Sequence, residues 1–198
     1  MIKEKRLELI RNSLKNYPFF DFLGEGKRSQ VYRIDETLAV KIESDDSGTT
    51  NSAKNEYDIL KRLNKYKFFP KAIVYNEELR FLVREYVRGR TIDSILDKKL
   101  FLKALLLARS LDVERINQQE MNNPYKHIYF HNNNVMMIDF ERARITLNPK
   151  NVTQFVQYLC IRFRVDHKKL IPALLEYKKC DSEPNFKKII KILKELIQ

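Results

Sequence analysis

Strand-like patterns crowd the first 88 residues of this chain, while every pattern after residue 150 is helical. Residues 19–43 read as three short strands. FFDFLG is apolar and ends in GEG, SQVYRI is β-branched and aromatic, and TLAVKIE alternates apolar with polar residues. Asp35 and Glu36 make the turn between the last two. Residues 44–51 form a polar loop. A helix follows it, with Glu56, Ile59, Leu60 and Leu63 on related turns and Ser52 as its cap. Pro70 closes that region, and KAIVYN and LRFLVREYV form a hairpin turning at 76–78. Gly89 breaks the strand pattern and TIDSIL opens a short helix. LFLKALLLARSLDVERI is apolar nearly all round over 100–107, which predicts a buried central helix. A polar loop over 117–126, containing Pro124, leads to a second hairpin of HIYF and VMMIDF with HNNN as its turn. VTQFVQYLCIRF, KKLIPALLEYKK and FKKIIKILKELI are the closing helices. Five strands with one helix after the third, then helices carrying one hairpin, is an α+β order; the alternation that builds a parallel sheet is absent. The two halves should meet near 85–91. At the chain's start Ile2, Leu7, Ile10 and Leu14 recur at helical spacing, as in an amphipathic helix packed on the domain.

A length of 198 residues suffices for one sizeable core or two small lobes sharing a cleft. No stretch approaches the roughly 18 apolar residues that span a bilayer, so no membrane association is expected. The charged N-terminus lacks the apolar core of a signal peptide, and a cytoplasmic location is the default expectation. Cys160 and Cys180 have no CxxC pair near them and read as buried or inert free thiols; His127, His131 and His167 do not add a zinc-binding cluster. Lys plus Arg exceed Asp plus Glu by 38 to 26, a net charge of +12. That excess favours an anionic partner: a nucleotide, RNA or an acidic protein surface. A lysine-rich solvated surface accounts for the same excess.

Glycine is rare, and two of the four glycines, Gly24 and Gly26, fall within three residues. Backbone without a Cβ can approach phosphate oxygens closely; a tight hairpin turn would use the same glycines. A P-loop is excluded, because Asp21 and Arg28 stand where its first glycine and its Ser or Thr belong. A dinucleotide fingerprint is excluded because a strand, not a helix, follows the loop. Lys41 lies among apolar and β-branched neighbours in LAVKIE, where a lysine is costly unless paired. Its partner by architecture is Glu56 on the next helix; snorkelling from an edge strand is the alternative. Asp139 follows four apolar residues in VMMIDFERA, which places a carboxylate at the mouth of a buried strand. It suits Mg²⁺, and equally a cap or a salt bridge.

GEGKRSQVYR, LAVKIE, Glu56 in NEYDILKRL, REYVRG and MMIDFERA follow the order and approximate spacing of the protein-kinase-like family over about residues 20–145. The chain resembles most the short predicted archaeal Ser/Thr protein kinases. The resemblance implies a two-lobed fold, with a five-stranded antiparallel N-lobe carrying one helix and a reduced helical C-lobe. It implies one domain over 1–198: an N-terminal helix over 1–17, an N-lobe over 18–88 and a shortened C-lobe over 89–198. It further implies ATP and Mg²⁺ as cofactors, with Mg-ATP held between the lobes, and phosphoryl transfer to a protein or small-molecule hydroxyl acceptor. Gly24, Glu25, Gly26, Val31, Ala39, Lys41, Glu56, Glu85 and Val87 become the cofactor-binding positions, and Asp139 the metal ligand.

Several positions depart from the family. Ser29 replaces the third loop glycine, and Glu141 stands where the DFG glycine belongs, a feature closer to small-molecule phosphotransferases. Gln118, Gln119 and Glu120 stand in place of HRD, with Tyr125 at the asparagine position. Glu120, nineteen residues before Asp139, is the candidate base by its spacing. His127 begins HIYF near the place of the family's second metal ligand; imidazole suits Mg²⁺ poorly, and a hydrogen-bonding role fits it better. Asn122, Asn123 and Lys126 are further polar groups in that loop. Only 57 residues follow Glu141, with no APE-like sequence, which disfavours a large peptide-docking platform. The altered motifs leave a second function open: a pseudokinase, acting as a nucleotide-binding or scaffolding module for an RNA or ribonucleoprotein partner. An unrelated α+β binding domain is the third.

Overall fold

The computed structural model describes residues 2–45 and 51–197, so most of the loop expected over 44–51 lies outside the described residues. Two compact units make up the chain: Met1–Arg88 with Ile138–Arg142, and Gly89–Met137 with Ala143–Gln198.

The N-terminal unit runs α1 (Glu4–Ser13), β1 (Asp21–Glu25), β2 (Ser29–Arg33), β3 (Leu38–Glu43), α2 (Ser52–Leu63), β4 (Ala72–Asn76) and β5 (Phe81–Glu85). Its strands form one antiparallel sheet in the order β1-β2-β3-β5-β4. β3 is therefore the central strand, and Lys41 is not on an edge. The period of two divides β3 between the faces. Val40 and Ile42 join Tyr32, Ile34, Phe81 and Val83 in a cluster closed by Ile2, Ile10 and Leu14 of the α1 region. Ala39, Lys41 and Glu43 point the other way, toward α2, which buries Glu56, Ile59, Leu60 and Leu63.

The start of α2 corrects one expectation. Asn51 occupies the N-cap position in a left-handed conformation (φ 71°) and its side chain makes no capping bond. Ser52 donates its hydroxyl to the Glu43 carboxylate at 3.0 Å, and the Ala53 amide donates to the same oxygen at 3.2 Å. A buried acid at the end of β3 thus caps the helix, as the positive end of a helix dipole favours. Arg80 reaches that carboxylate at 3.3 Å. Arg6 of α1 and Arg80 share Asp45, at 2.5 and 2.6 Å, and Arg6 also donates to the Glu43 carbonyl.

The C-terminal unit contains β6 (Arg90–Thr91), α3 (Lys98–Val113), β7 (Ile116–Asn117), β8 (Ile128–His131), β9 (Asn134–Met137), β10 (Arg144–Ile145), α4 (Asn151–Phe163), α5 (Ile171–Lys179) and α6 (Glu183–Leu196). The helix expected in TIDSIL is a single 3-10 turn, Ile92–Ser94. Gly89 does more than break a pattern. At φ 132° a Cβ there would lie 2.4 Å from the Phe130 carbonyl oxygen, so only glycine fits beside the β6–β8 pairing. The hairpin turn is confined to Asn132 and Asn133, both left-handed (φ 47° and 61°), while His131 and Asn134 pair across it. β9 ends at Met137, short of the VMMIDF expectation.

α3 is the buried helix expected, with Phe101, Ala104, Leu105, Leu107, Ala108 and Leu111 fully buried, although Leu106 is 44% exposed. At its end the buried Asp112 accepts from the Asn151 amide (3.0 Å) and side chain (2.7 Å), the Val152 amide (3.2 Å) and the Tyr177 hydroxyl (3.0 Å). It caps α4 and ties α3, α4 and α5 together. Burial pushes its carboxyl above the ordinary aspartate value, and those bonds oppose the rise. Cys160 is buried, as expected; Cys180 is exposed, because α5 ends beside it. Among the described residues no helix is long and apolar enough to cross a membrane.

Asp112→Ala removes the acceptor for four donors. Urea unfolding followed by circular dichroism should show a loss of about 3 kcal/mol, the scale for stranding several buried donors that met a carboxylate.

Candidate functional site

The chemistry concentrates on one buried ammonium. The Lys41 side chain is 5% exposed, and its Nζ lies 2.6 Å from Glu56 Oε2, 2.8 Å from Asp139 Oδ1 and 3.0 Å from Glu141 Oε2. Three carboxylate oxygens ring a group with three donors. Glu56, fully buried, turns its second oxygen toward Arg84 Nε at 3.5 Å. Burial alone would depress the lysine; the three carboxylates outweigh it and hold the ammonium well above its ordinary pKa.

The acids arrive from two directions. α2 supplies Glu56, one turn from the buried Ile59 and Leu60. The segment Ile138–Arg142, which belongs to the N-terminal unit, supplies Asp139 and Glu141. Asp139 takes a left-handed conformation, φ 73°. Phe140 is fully buried, edge-on to Phe69 with ring centroids 5.5 Å apart. Asn55 donates to the carbonyls of Phe140 (3.1 Å) and Glu141 (3.2 Å). Adjacent residues of α2 thus hold the segment twice, Asn55 by its backbone and Glu56 through Lys41. Exposure ranks the acids: Glu56 0%, Glu141 13% and Asp139 32% by side chain.

Val31 pairs with Lys41 across β2–β3, and Ala39 pairs with Arg84 across β3–β5, so these four share one face of the sheet. Gly24 lies in β1 opposite Val31, Glu25 is exposed, and the Gly26 amide closes the turn on the Ser29 carbonyl at 2.8 Å. Neither glycine has a left-handed φ, and a Cβ on either would meet nothing within 4 Å. The hairpin itself does not require glycine at these two places. Glu85 accepts from the Lys71 amide at 2.9 Å, and Val87 is 9% exposed.

Glu120 and His127 lie in the C-terminal unit, bonded to each other: His127 Nε2 is 2.5 Å from Glu120 Oε2. The histidine is buried and the glutamate side chain 42% exposed. Asn122, Asn123, Tyr125 and Lys126 are exposed around them. The positive charge is uneven. The C-terminal unit holds 19 Lys and Arg against 10 Asp and Glu, a net +9 of the chain's +12. Arg115, Lys150, Lys178 and Lys179 line an open groove of about 380 Å³ there.

Three residues escaped the sequence reading. Arg84 was signalled by alternation in LRFLVRE, where Leu82 and Arg84 share Lys41's face. Glu141 shows in the sequence only as a missing glycine. Asn55 carries no pattern that singles it out.

No protein-family model matches the chain, and no curated protein does. Solved structures do, 482 chains of them. One is the aminoglycoside phosphotransferase APH(2")-IIa in its ternary complex with streptomycin and ATP. It is 15% identical, with a TM-score of 0.52 over 96% of this chain and 93% of that one. The chain has the protein-kinase-like fold. Within that fold the Lys41–Glu56 pair and Asp139 stand in the expected order on β3, α2 and the segment after β9. Among the described residues no group of three His, Cys, Asp or Glu is placed to hold a metal unaided. Mg²⁺ on a nucleotide does not need one, since one or two carboxylates and phosphate oxygens complete its shell.

Lys41→Met should cost about 4 kcal/mol at pH 7, because it strands buried carboxylates. The wild-type ammonium, raised in the folded state, contributes fully below the unfolded lysine value and loses its contribution only above about pH 10. Thermal midpoints of both proteins at pH 7 and above pH 10 read both effects.

Proposed function

We propose that the chain is an ATP-dependent phosphotransferase, a compact Ser/Thr protein kinase that moves the γ-phosphoryl group of Mg-ATP to a hydroxyl acceptor. The observation that carries this reading is the Lys41 ammonium, buried in the central strand and paired with Glu56 and Asp139 from distant parts of the sequence. A structural lysine needs one partner; this one gathers three acids, two of them partly open. Lys41, steadied by Glu56, would hold the α and β phosphates. Gly24 and Gly26, free of any packing need for glycine, would let the β1–β2 turn close over them. Val31 and Ala39 would offer an apolar surface to the base, and Glu85 and Val87 backbone groups to its edge. Asp139, a hard oxygen donor open to solvent, fits Mg²⁺, which when bound offsets the charge on the transferring group. Glu120 would orient the acceptor hydroxyl, with His127 fixing its carboxylate.

The loop around Glu120 favours a second reading, a nucleotide-binding module that no longer transfers phosphate. QQE replaces HRD, and the net +9 of the C-terminal unit would then serve an anionic partner such as RNA.

Transfer from γ-labelled ATP in Mg²⁺, to the chain itself or to water, separates the two. Glu120→Gln should lower the rate about 10²–10³-fold with nucleotide affinity unchanged, and Asp139→Asn should abolish turnover. A wild type that binds ATP yet shows no transfer or hydrolysis above Asp139→Asn contradicts the enzyme reading. RNA binding that weakens linearly in log salt would support the second.

A further inference from the structure

We propose that the C-terminal unit carries a docking groove for a short acidic segment of another protein, anchored by one large apolar side chain. The inference does not rest on the Lys41 centre. Two hollows, of about 380 and 530 Å³, lie along α4 and meet at Lys150, Thr153 and Lys178, which line both. Thr153, Gln157 and Ile161 are spaced four apart on α4 and so form one stripe of the helix. Leu174 and Lys178, also four apart, form the α5 side.

The two ends of this groove differ in chemistry. One is basic: Arg115, Lys150, Lys178 and Lys179 line it, and all four are exposed. Among its described lining residues the one acid is Asp181, engaged by Arg115 at 2.6 Å and by Arg109 at 3.8 Å. Glu176, nearby on α5, is taken by Lys188 at 2.7 Å. The other end is an apolar trough of Val156, Cys160, Ile161, Val165 and Leu174, with no acid among its described lining residues. Ile161 stands 71% exposed on the rim, an apolar surface that stays wet until something covers it.

Charge and apolar surface together select the occupant. A second copy of this chain is disfavoured, because both units are net positive, +9 here and the remaining +3 in the other. Nucleic acid would satisfy the lysines but bring nothing to the apolar trough. It would also find no ring to stack on: Tyr177, the one aromatic residue lining either hollow, is 2% exposed, bonded to Asp112 and covered by Arg109. A peptide brings both chemistries, carboxylates for the lysines and a side chain for the trough, in the apolar-centre and polar-rim pattern of protein interfaces. Lys150 to Ile161 spans about 16 Å of chain at about 1.5 Å per helical residue. That is the reach of about five extended residues, which sets the separation between the acids and the anchor.

The experiment pans a phage library of random dodecapeptides on the full chain, then measures the enriched peptides, synthesised with a fluorescein label, by fluorescence anisotropy. Enriched sequences should carry Asp and Glu at one end and a Leu, Ile, Met or Phe about five positions away. The paired substitutions Lys150→Glu and Lys178→Glu should weaken the best peptide at least about tenfold, and so should Ile161→Asp alone. All three side chains are exposed, and circular dichroism checks that the variants fold. Lys191→Glu with Lys194→Glu makes the same charge change on the exposed face of α6, outside the groove, and should keep the affinity within about twofold. No enrichment, or enriched peptides without acids, overturns the inference. So does binding that survives the groove variants or that falls equally in the α6 variant. A single-stranded RNA of matching charge that binds more tightly than the peptide and displaces it overturns it too, and assigns the groove to nucleic acid.

Discussion

A lysine ammonium enclosed in the middle of a β-sheet is the fact around which the N-terminal unit is arranged. Such a charge is tolerated only where acids meet it with good geometry, because desolvation opposes it at every step. Three acids meet Lys41, and each requires a separate piece of structure to deliver it. α2 must lie across β3, β4 and β5 to bring Glu56; the segment 138–142 must return to this unit to bring Asp139 and Glu141. Phe140 against Phe69 and Asn55 on two carbonyls keep that return in register.

The two faces of the sheet divide the labour. One is apolar and closed by α1, and it supplies the burial that holds the unit together. The other carries Ala39, Lys41, Glu43 and Arg84, a polar stripe that would destabilise the sheet if any member lacked a partner. Glu43 is spent on the start of α2 and on Arg80, Arg84 and Lys41 on Glu56. Helix placement and site geometry are therefore one problem: the acid that caps α2 and the acid that α2 delivers sit on or against neighbouring positions of one strand.

Much of this could be read from the residues. The strands, α2 and α3 declare themselves through local periodicity, and Lys41 through the cost of a lysine among β-branched neighbours. What escaped depends on distance in the chain or on a template. The cap of α2 was assigned to Ser52 because capping is usually local, whereas the acid comes from Glu43 on the preceding strand. Gly89 was read as a break, yet the neighbour that forbids a side chain there is Phe130, far along the chain. Glu141 was measured against a glycine and so counted as a loss, although its carboxylate reaches the central lysine. Glu120 is different again. The structure gives it a partner in His127, seven residues on, which no local pattern announces.

The central claim is that the Lys41 centre receives the phosphates of a nucleotide. A crystal structure with Mg²⁺ and a non-hydrolysable ATP analogue tests it most directly. The account predicts an α- or β-phosphate oxygen within hydrogen-bond distance of Lys41 Nζ, with the Glu56 pair intact. A nucleotide bound elsewhere, with Lys41 still ringed by Glu56, Asp139 and Glu141, would contradict it.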